Sequence, residues 1–262
     1  MGALESHLRA RRASGRALLV PYVTGGLDGW IEAIRSAVAS GADAVEVGIP
    51  FSDPIMDGPV IQAASERSLR SGATPASILD ELRGVDVGVP LAVMCYFNTV
   101  HSMGYERFAA RLASAGVSAA IVPDLSLEEV GPWADAADAE GIETVMLVAP
   151  TSPDDRLARI AARSRGFLYT VGLLGVTGER DELASTAVAL ASRAKLATDL
   201  PVLVGVGVSN AAQAAEAVRV ADGVVQGASV VRRLMEGGPD AVGDYVAEVR
   251  AAIDAVGAGA RG

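Results

Sequence analysis

The chain reads as an α/β protein folded into one (β/α)8 barrel, the TIM barrel. Three observations point there. Eight short runs rich in Val, Ile and Leu alternate with Ala-rich segments of helical period along 262 residues. The runs are apolar almost throughout, as strands of a parallel sheet with a covered outer face must be. No Gly-x-Gly-x-x-Gly turn follows the first run, which weighs against an open doubly wound sheet, as does the count of eight. The length alone would also fit two smaller domains. No linker, repeat or low-complexity stretch interrupts the pattern, so residues 1–262 are read as a single domain.

An extra amphipathic helix is expected first, at 3–13. Strand 17–22, built on Leu18, Leu19 and Val20, feeds helix 29–40. Strand 44–48 is apolar but for one carboxylate, Glu46. Helix 60–70 opens behind Gly58-Pro59, a helix-start signal, and an inserted helix at 75–82 opens on Pro75. The third and fourth units pair strand 90–96 with helix 105–115 and strand 119–123 with helix 127–140. Strand 143–149 with helix 154–162 and strand 166–170 with helix 183–198 make the fifth and sixth. Strand 201–205 with helix 211–220 and strand 223–226 with helix 228–235 complete the barrel. A last helix occupies 240–255, and the Gly/Ala-rich tail from Val256 is expected to fray.

Charge and residue usage exclude several functions. A net charge of −10 argues against nucleic acid or an anionic membrane as partner. No apolar stretch approaches the ~20 residues needed to span a bilayer, and the first residues lack a signal peptide's apolar core. Cys95 is the one cysteine, which rules out an internal disulfide and suits a reducing cytoplasm. There is one lysine, Lys195, and there are two histidines, His7 and His101.

In such a barrel, active-site residues lie at the C-terminal ends of strands or in the loops that follow. Glu46, Asp57, Asp124 and Tyr169 meet that condition. A carboxylate such as Glu46 in an apolar strand costs several kcal/mol to desolvate unless it is paired or protonated. Asp57 follows in a loop punctuated by Pro and Gly. Two carboxylates in different settings let one site hold a proton donor and an anion at neutral pH. The plainer alternative is a core hydrogen bond for Glu46 and a helix cap for Asp57.

Glycine-rich segments at 175–178, 205–209 and 226–229 follow the last three strands. Barrels commonly bind phosphate there, through backbone amides and a helix N-terminus. A phosphorylated substrate suggests aldol cleavage, isomerisation or decarboxylation. Schiff-base chemistry needs a lysine inside the barrel, and Lys195 falls on an outer helix. Metal-dependent cleavage needs clustered histidines, whereas His7 and His101 stand apart. Cys95 has no histidine near it along the chain and reads as core. General acid–base catalysis by carboxylates remains, without metal or cofactor.

The run from Val47 to Gln62, with Pro50-Phe51-Ser52-Asp53-Pro54-Ile55-Met56-Asp57 at its centre, resembles the signature of the tryptophan synthase alpha subunit family. Supporting matches lie at 20–26, 94–98, 122–125, 147–152, 175–178 and 205–209. The resemblance implies a (β/α)8 barrel that cleaves indole-3-glycerol phosphate to indole and glyceraldehyde 3-phosphate by a retro-aldol step, in tryptophan biosynthesis. It implies that Glu46 protonates the indole ring at C3 and assists deprotonation of the glycerol hydroxyl, while Asp57 binds the indole N–H. Tyr169 matches the active-site tyrosine; Tyr22, Met94, Thr177 and Val206 match the indole pocket. Gly178, Gly207, Gly227 and Ala228, with Ser229 beside them, match the phosphate positions.

The resemblance also implies a beta subunit as partner, in an alpha-beta-beta-alpha complex. Departures from the family pattern are Ala228 in place of a serine, Leu173-Leu174 before the 175–178 turn, Asn98-Thr99 after the third strand and Leu125-Ser126 after the fourth. Drift in the last two loops, which help contact the beta subunit, leaves a stand-alone lyase releasing free indole as the alternative. A non-catalytic allosteric barrel and a phosphate-sugar isomerase or epimerase are the remaining readings.

Overall fold

A computed structural model of the protein describes residues 1–171, 185–205 and 207–259. Eight parallel strands close into a barrel in chain order: β1 (Leu18–Thr24), β2 (Val45–Gly48), β3 (Leu91–Met94), β4 (Val117–Ile121), β5 (Glu143–Val148), β6 (Leu168–Thr170), β7 (Val202–Val204) and β8 (Gly223–Gln226). β8 returns to β1 with Leu18 opposite Gly223 and Pro21 opposite Gln226. The helices are α1 (Ala3–Ala13), α2 (Trp30–Ala39), α3 (Pro59–Arg70), α4 (Pro75–Leu82), α5 (Phe97–Met103) and α6 (Tyr105–Ser114). They continue with α7 (Gly131–Ala139), α8 (Asp154–Arg163), α9 (Ser185–Ala197), α10 (Ala211–Ala217) and α11 (Ala228–Gly259). No helix among the described residues is long and apolar enough to cross a membrane. Thr177, Gly178 and Val206, with Leu173-Leu174 and the 175–178 turn, lie outside the described residues.

Strand alternation sorts side chains between two layers. On β2, Val45 and Val47 pack outward under the helices, while Ala44 belongs to the cluster inside the barrel. Leu18, Val20, Val145, Phe167, Leu203 and Val225 fill the lumen below the site. Leu4 and Leu8 of α1, both fully buried, join them and close the floor. Burying each such side chain stabilises the fold by roughly 1.5–3 kcal/mol.

A carboxylate holds that plug in place. The first amides of a helix have no intrahelical partner, and Glu143 at the start of β5 accepts from Leu4 N (2.7 Å) and Glu5 N (3.1 Å). Gly2 permits the approach, since a Cβ there would lie 2.3 Å from Glu143 Cδ.

Most element bounds shift by one to three residues from the sequence expectation, and four differences matter more. α5 occupies what reads as loop, because the Asp124 carboxylate beyond β4 accepts from Phe97 N (2.9 and 3.1 Å) and caps the helix from another unit. α7 begins at Gly131 rather than 127, since Pro132 has no N–H for an earlier turn and helix starts favour it. β3 stops at Met94, leaving Cys95 and Tyr96 past the strand end. α11 continues to Gly259, past the Val256 at which fraying is expected. Its two segments meet at Gly238 (φ +73°) and Pro239, as the separate helices 228–235 and 240–255 anticipate.

Glu143→Ala removes both acceptors from the buried start of α1. The unfolding free energy should fall by about 1–3 kcal/mol, read from the urea midpoint. An unchanged midpoint would mean that Leu4 and Leu8 hold the plug unaided.

Candidate active site

Glu46 is the inward residue of β2 above Ala44, in register with Tyr22 on β1 and Ala92 on β3. It is 3% exposed. Two glycines make room around it. A Cβ on Gly48 would lie 1.8 Å from the Tyr22 hydroxyl, and one on Gly205 would lie 2.1 Å from Tyr169 Cε1. The two tyrosine rings therefore lie over bare backbone, which any larger residue would exclude.

Asp57 sits in the loop between β2 and α3, 6% exposed. It does not cap α3: Gly58 is the N-cap residue and no side chain bonds there. Gln62 Nε2 donates to the Asp57 carbonyl (2.7 Å), so α3 grips the backbone and leaves the carboxylate free to face inward. The Tyr96 hydroxyl accepts from Met56 N (3.0 Å) and stands against the Asp57 carboxylate.

The two acids occupy different electrostatic settings. Burial, and then the charge of Asp57, push the Glu46 carboxyl up to about 8. Its Oε2 has no hydrogen-bond partner among the described residues. Burial raises Asp57 less, to about 6, because the Tyr96 hydroxyl favours the anion. At neutral pH the pair is one acid and one carboxylate. Burial also holds the Tyr22 and Tyr169 hydroxyls well above the ordinary phenol value, so both stay neutral.

One cavity at the C-terminal end of the barrel is lined by Glu46, Asp57, Tyr22, Met94 and Tyr169 on one side and by Gly207, Gly227, Ala228 and Ser229 on the other. The structure thus brings together every described residue that the sequence singles out, apart from Asp124, which is the cap of α5. The glycine-rich side is built of backbone. Gly207 has φ +94°. A Cβ on Gly227 would meet nothing closer than Ile61 Cδ1 at 3.7 Å, so the space above it is open. α11 starts at Ala228, and its first internal donors, Val230 and Val231, bond to Gly227 O. The amides of Ala228 and Ser229 precede them at the positive end of the helix dipole. The Ser229 hydroxyl donates to Ser209 O (2.6 Å), so it is a strut within the protein. Among the described residues no His, Cys, Asp and Glu side chains group as metal ligands.

Tyr96 ends the expected strand 90–96 and falls within the matched 94–98 stretch, so its position could have singled it out; what the sequence does not show is that its hydroxyl meets Asp57 and Met56 across the barrel mouth. Gly48 and Gly205 escape a reading by strand ends because their part is to be absent as side chains.

A (β/α)8 barrel with two carboxyls in unlike settings and a glycine-rich wall around one cavity at its C-terminal rim is an enzyme scaffold of defined class. Comparison narrows the class. The family model described as tryptophan synthase alpha chain matches residues 8–255. A tryptophan synthase alpha chain of Thermobifida fusca is 46% identical over 97% of this chain and 99% of its own. That of Streptomyces coelicolor is 45% identical over 92% and 90%. Among solved structures, Mycobacterium tuberculosis tryptophan synthase superposes with a TM-score of 0.89 at 37% identity, covering 96% of this chain and 98% of that one. The alpha subunit from Legionella pneumophila gives 0.86 at 30%, covering 97% and 99%. The chain belongs to the tryptophan synthase alpha chain family.

Gly205→Ala should force the buried Tyr169 ring out of place and destabilise the fold by about 1–3 kcal/mol. A crystal structure checks the first effect and thermal unfolding the second. A wild-type melting temperature with Tyr169 unmoved would contradict the packing described.

Proposed function

We propose that this chain cleaves indole-3-glycerol phosphate into indole and glyceraldehyde 3-phosphate, with Glu46 and Asp57 as the reacting groups. The observation that carries the reading is Glu46, a carboxyl that stays protonated up to about pH 8 and keeps one oxygen unpartnered among the described residues, on the wall of the cavity.

In this reading Glu46 gives its proton to C3 of the indole ring, and positive charge develops on the ring nitrogen. The Asp57 carboxylate accepts the indole N–H and offsets that charge. Glu46, now a carboxylate, takes the proton from the hydroxyl on the carbon attached to C3. The carbon–carbon bond breaks, its electron pair returns to the ring, and the glycerol end leaves as the aldehyde. Glu46 finishes protonated, so the protons balance within one side chain.

Tyr22, Met94 and Tyr169 bound the space for the ring. The amides at Gly207, Gly227, Ala228 and Ser229 suit the phosphate. The resemblance of the 175–178 and 205–209 segments to the family pattern supports Thr177 and Val206 at the indole pocket and Gly178 at the phosphate. With Ser229 tied to Ser209, phosphate binding at the eighth loop rests on amides and the helix dipole.

We also propose that a beta subunit docks on this rim and receives the indole. Ile55, in the same loop as Asp57, is 72% exposed. Beside it Phe51 stacks on Tyr96 (centroids 5.2 Å apart), and Phe97, His101 and Tyr105 form a further aromatic group on α5 and α6. An exposed apolar residue amid aromatics at a rim is the composition of a protein interface.

Because the reaction starts from protonated Glu46 and anionic Asp57, kcat/KM should rise as pH passes about 6 and fall as it passes about 8. Glu46→Gln should lower kcat by about 10²- to 10⁴-fold. Wild-type turnover in Glu46→Gln would end the acid–base reading. For the partner, steady-state turnover is compared with and without added beta subunit. Stimulation is expected, and equal rates would contradict docking.

A further inference from the structure

The loop after β7 is held by three hydrogen bonds at one residue, Ser209. Ser209 O accepts from the Ser229 hydroxyl (2.6 Å) and from the Tyr245 hydroxyl (3.1 Å), while Ser209 N donates to Gln213 Oε1 (2.7 Å). Gln213 is itself set by its own amide, which donates to the Asn210 side chain at the start of α10 (2.9 Å). Gly207, on the cavity wall, lies two peptides before this clamp.

Tyr245 comes from the far segment of α11, past the bend at Gly238. It is 4% exposed, and the Arg233 guanidinium lies over its ring at 5.1 Å. Its hydroxyl is also 2.6 Å from Gln226 Oε1. Gln226 ends β8 immediately before Gly227 and is 1% exposed. One phenol proton cannot serve both Gln226 Oε1 and Ser209 O, and Gln226 Nε2 has no partner among the described residues. Exchanging the two ends of the Gln226 amide resolves both faults, because the ends are nearly equal in shape. Gln226 Nε2 then donates to the Tyr245 oxygen, and Tyr245 donates to Ser209 O. A buried carbonyl left short of a donor is better tolerated than a buried N–H without an acceptor.

We propose that Tyr245, oriented by Gln226, is a positioning residue for the anion cradle: its hydroxyl fixes the Ser209 peptide so that the amides after β7 and those at the start of α11 converge on one phosphate group. The inference rests on the phosphate reading proposed above. It differs from a packing role, because the ring and its contact with Arg233 do not need the hydroxyl. Ser229 completes the brace from the other side of the cradle, with a hydroxyl committed to Ser209. The chain Gln226, Tyr245, Ser209, Ser229 therefore ties the ends of β7 and β8 together along the wall of the cavity that Ser209 and Ser229 line.

The test measures inorganic phosphate as a competitive inhibitor of indole-3-glycerol phosphate cleavage by the wild-type chain, Tyr245→Phe, Gln226→Leu and the double variant. Tyr245→Phe keeps the ring and should weaken phosphate binding and raise KM by about 3- to 10-fold, the range set by one net hydrogen bond. kcat, both limbs of the pH profile and inhibition by indole should stay at wild-type values. Gln226→Leu should give a similar loss, and the double variant should lose less than the product of the two, as links in one hydrogen-bond chain do. Wild-type phosphate inhibition and KM in Tyr245→Phe would overturn the positioning role, even with a lowered melting temperature. Losses that multiply would overturn the chain through Gln226. A wild-type protein that phosphate does not inhibit would overturn the phosphate reading and this inference together.

Discussion

A carboxyl group buried among apolar strands, with one oxygen unpartnered among the described residues, is the constraint on which the site depends. Taking a carboxylate out of water costs several kcal/mol, so the group keeps its proton instead. In Glu46 that preference is reinforced by Asp57, whose negative charge opposes a second one nearby. Asp57 is less deeply buried, and the Tyr96 hydroxyl favours its anion. Shallower burial and one phenol just past β3 thus set the two carboxyls apart. Ring space completes the arrangement, since Gly48 and Gly205 are the positions at which Tyr22 and Tyr169 reach the lumen.

The barrel mouth is divided by charge. The two carboxyls, with Tyr22 and Tyr96 beside them, belong to β1, β2 and the loops after β2 and β3. The opposite wall, from β7, β8 and the start of α11, carries amides and a helix N-terminus, which attract an anion without a cationic side chain. That choice suits a chain with a single lysine, Lys195, bound outside the barrel to Asp222 (2.6 Å). Below both halves, packed side chains and the α1 plug keep the lumen closed. The carboxyls and the glycine-rich wall face one cavity because the closed barrel fixes the register of the strands that carry them.

Much of this was legible in the sequence, and the exceptions have physical causes. Apolar strands and helical period locate the eight units, since both patterns follow from which face is buried. α5 was not legible, because its cap is Asp124, contributed by a neighbouring unit rather than by the residue before the helix. The same aspartate shows the limit of reasoning from position: it lies at a strand end, yet its carboxylate serves a helix. Glu46 was legible because a carboxylate inside an apolar run needs explaining. Asp57 was ambiguous by itself, and that its carboxylate does not cap α3 became clear only when Gly58 proved to be the N-cap residue, with no side-chain cap. Tyr96 and Tyr245 act through hydroxyls aimed across the fold, and nothing local to either residue announces the partner.

The account is tested most directly by titrating Glu46 itself, with carbon-13 in the glutamate side-chain carboxyls and the Glu46→Gln protein to assign the resonance. The account predicts one carboxyl changing ionisation near pH 8, absent from the variant. A Glu46 resonance titrating near 4.5, the ordinary glutamate value, would contradict it.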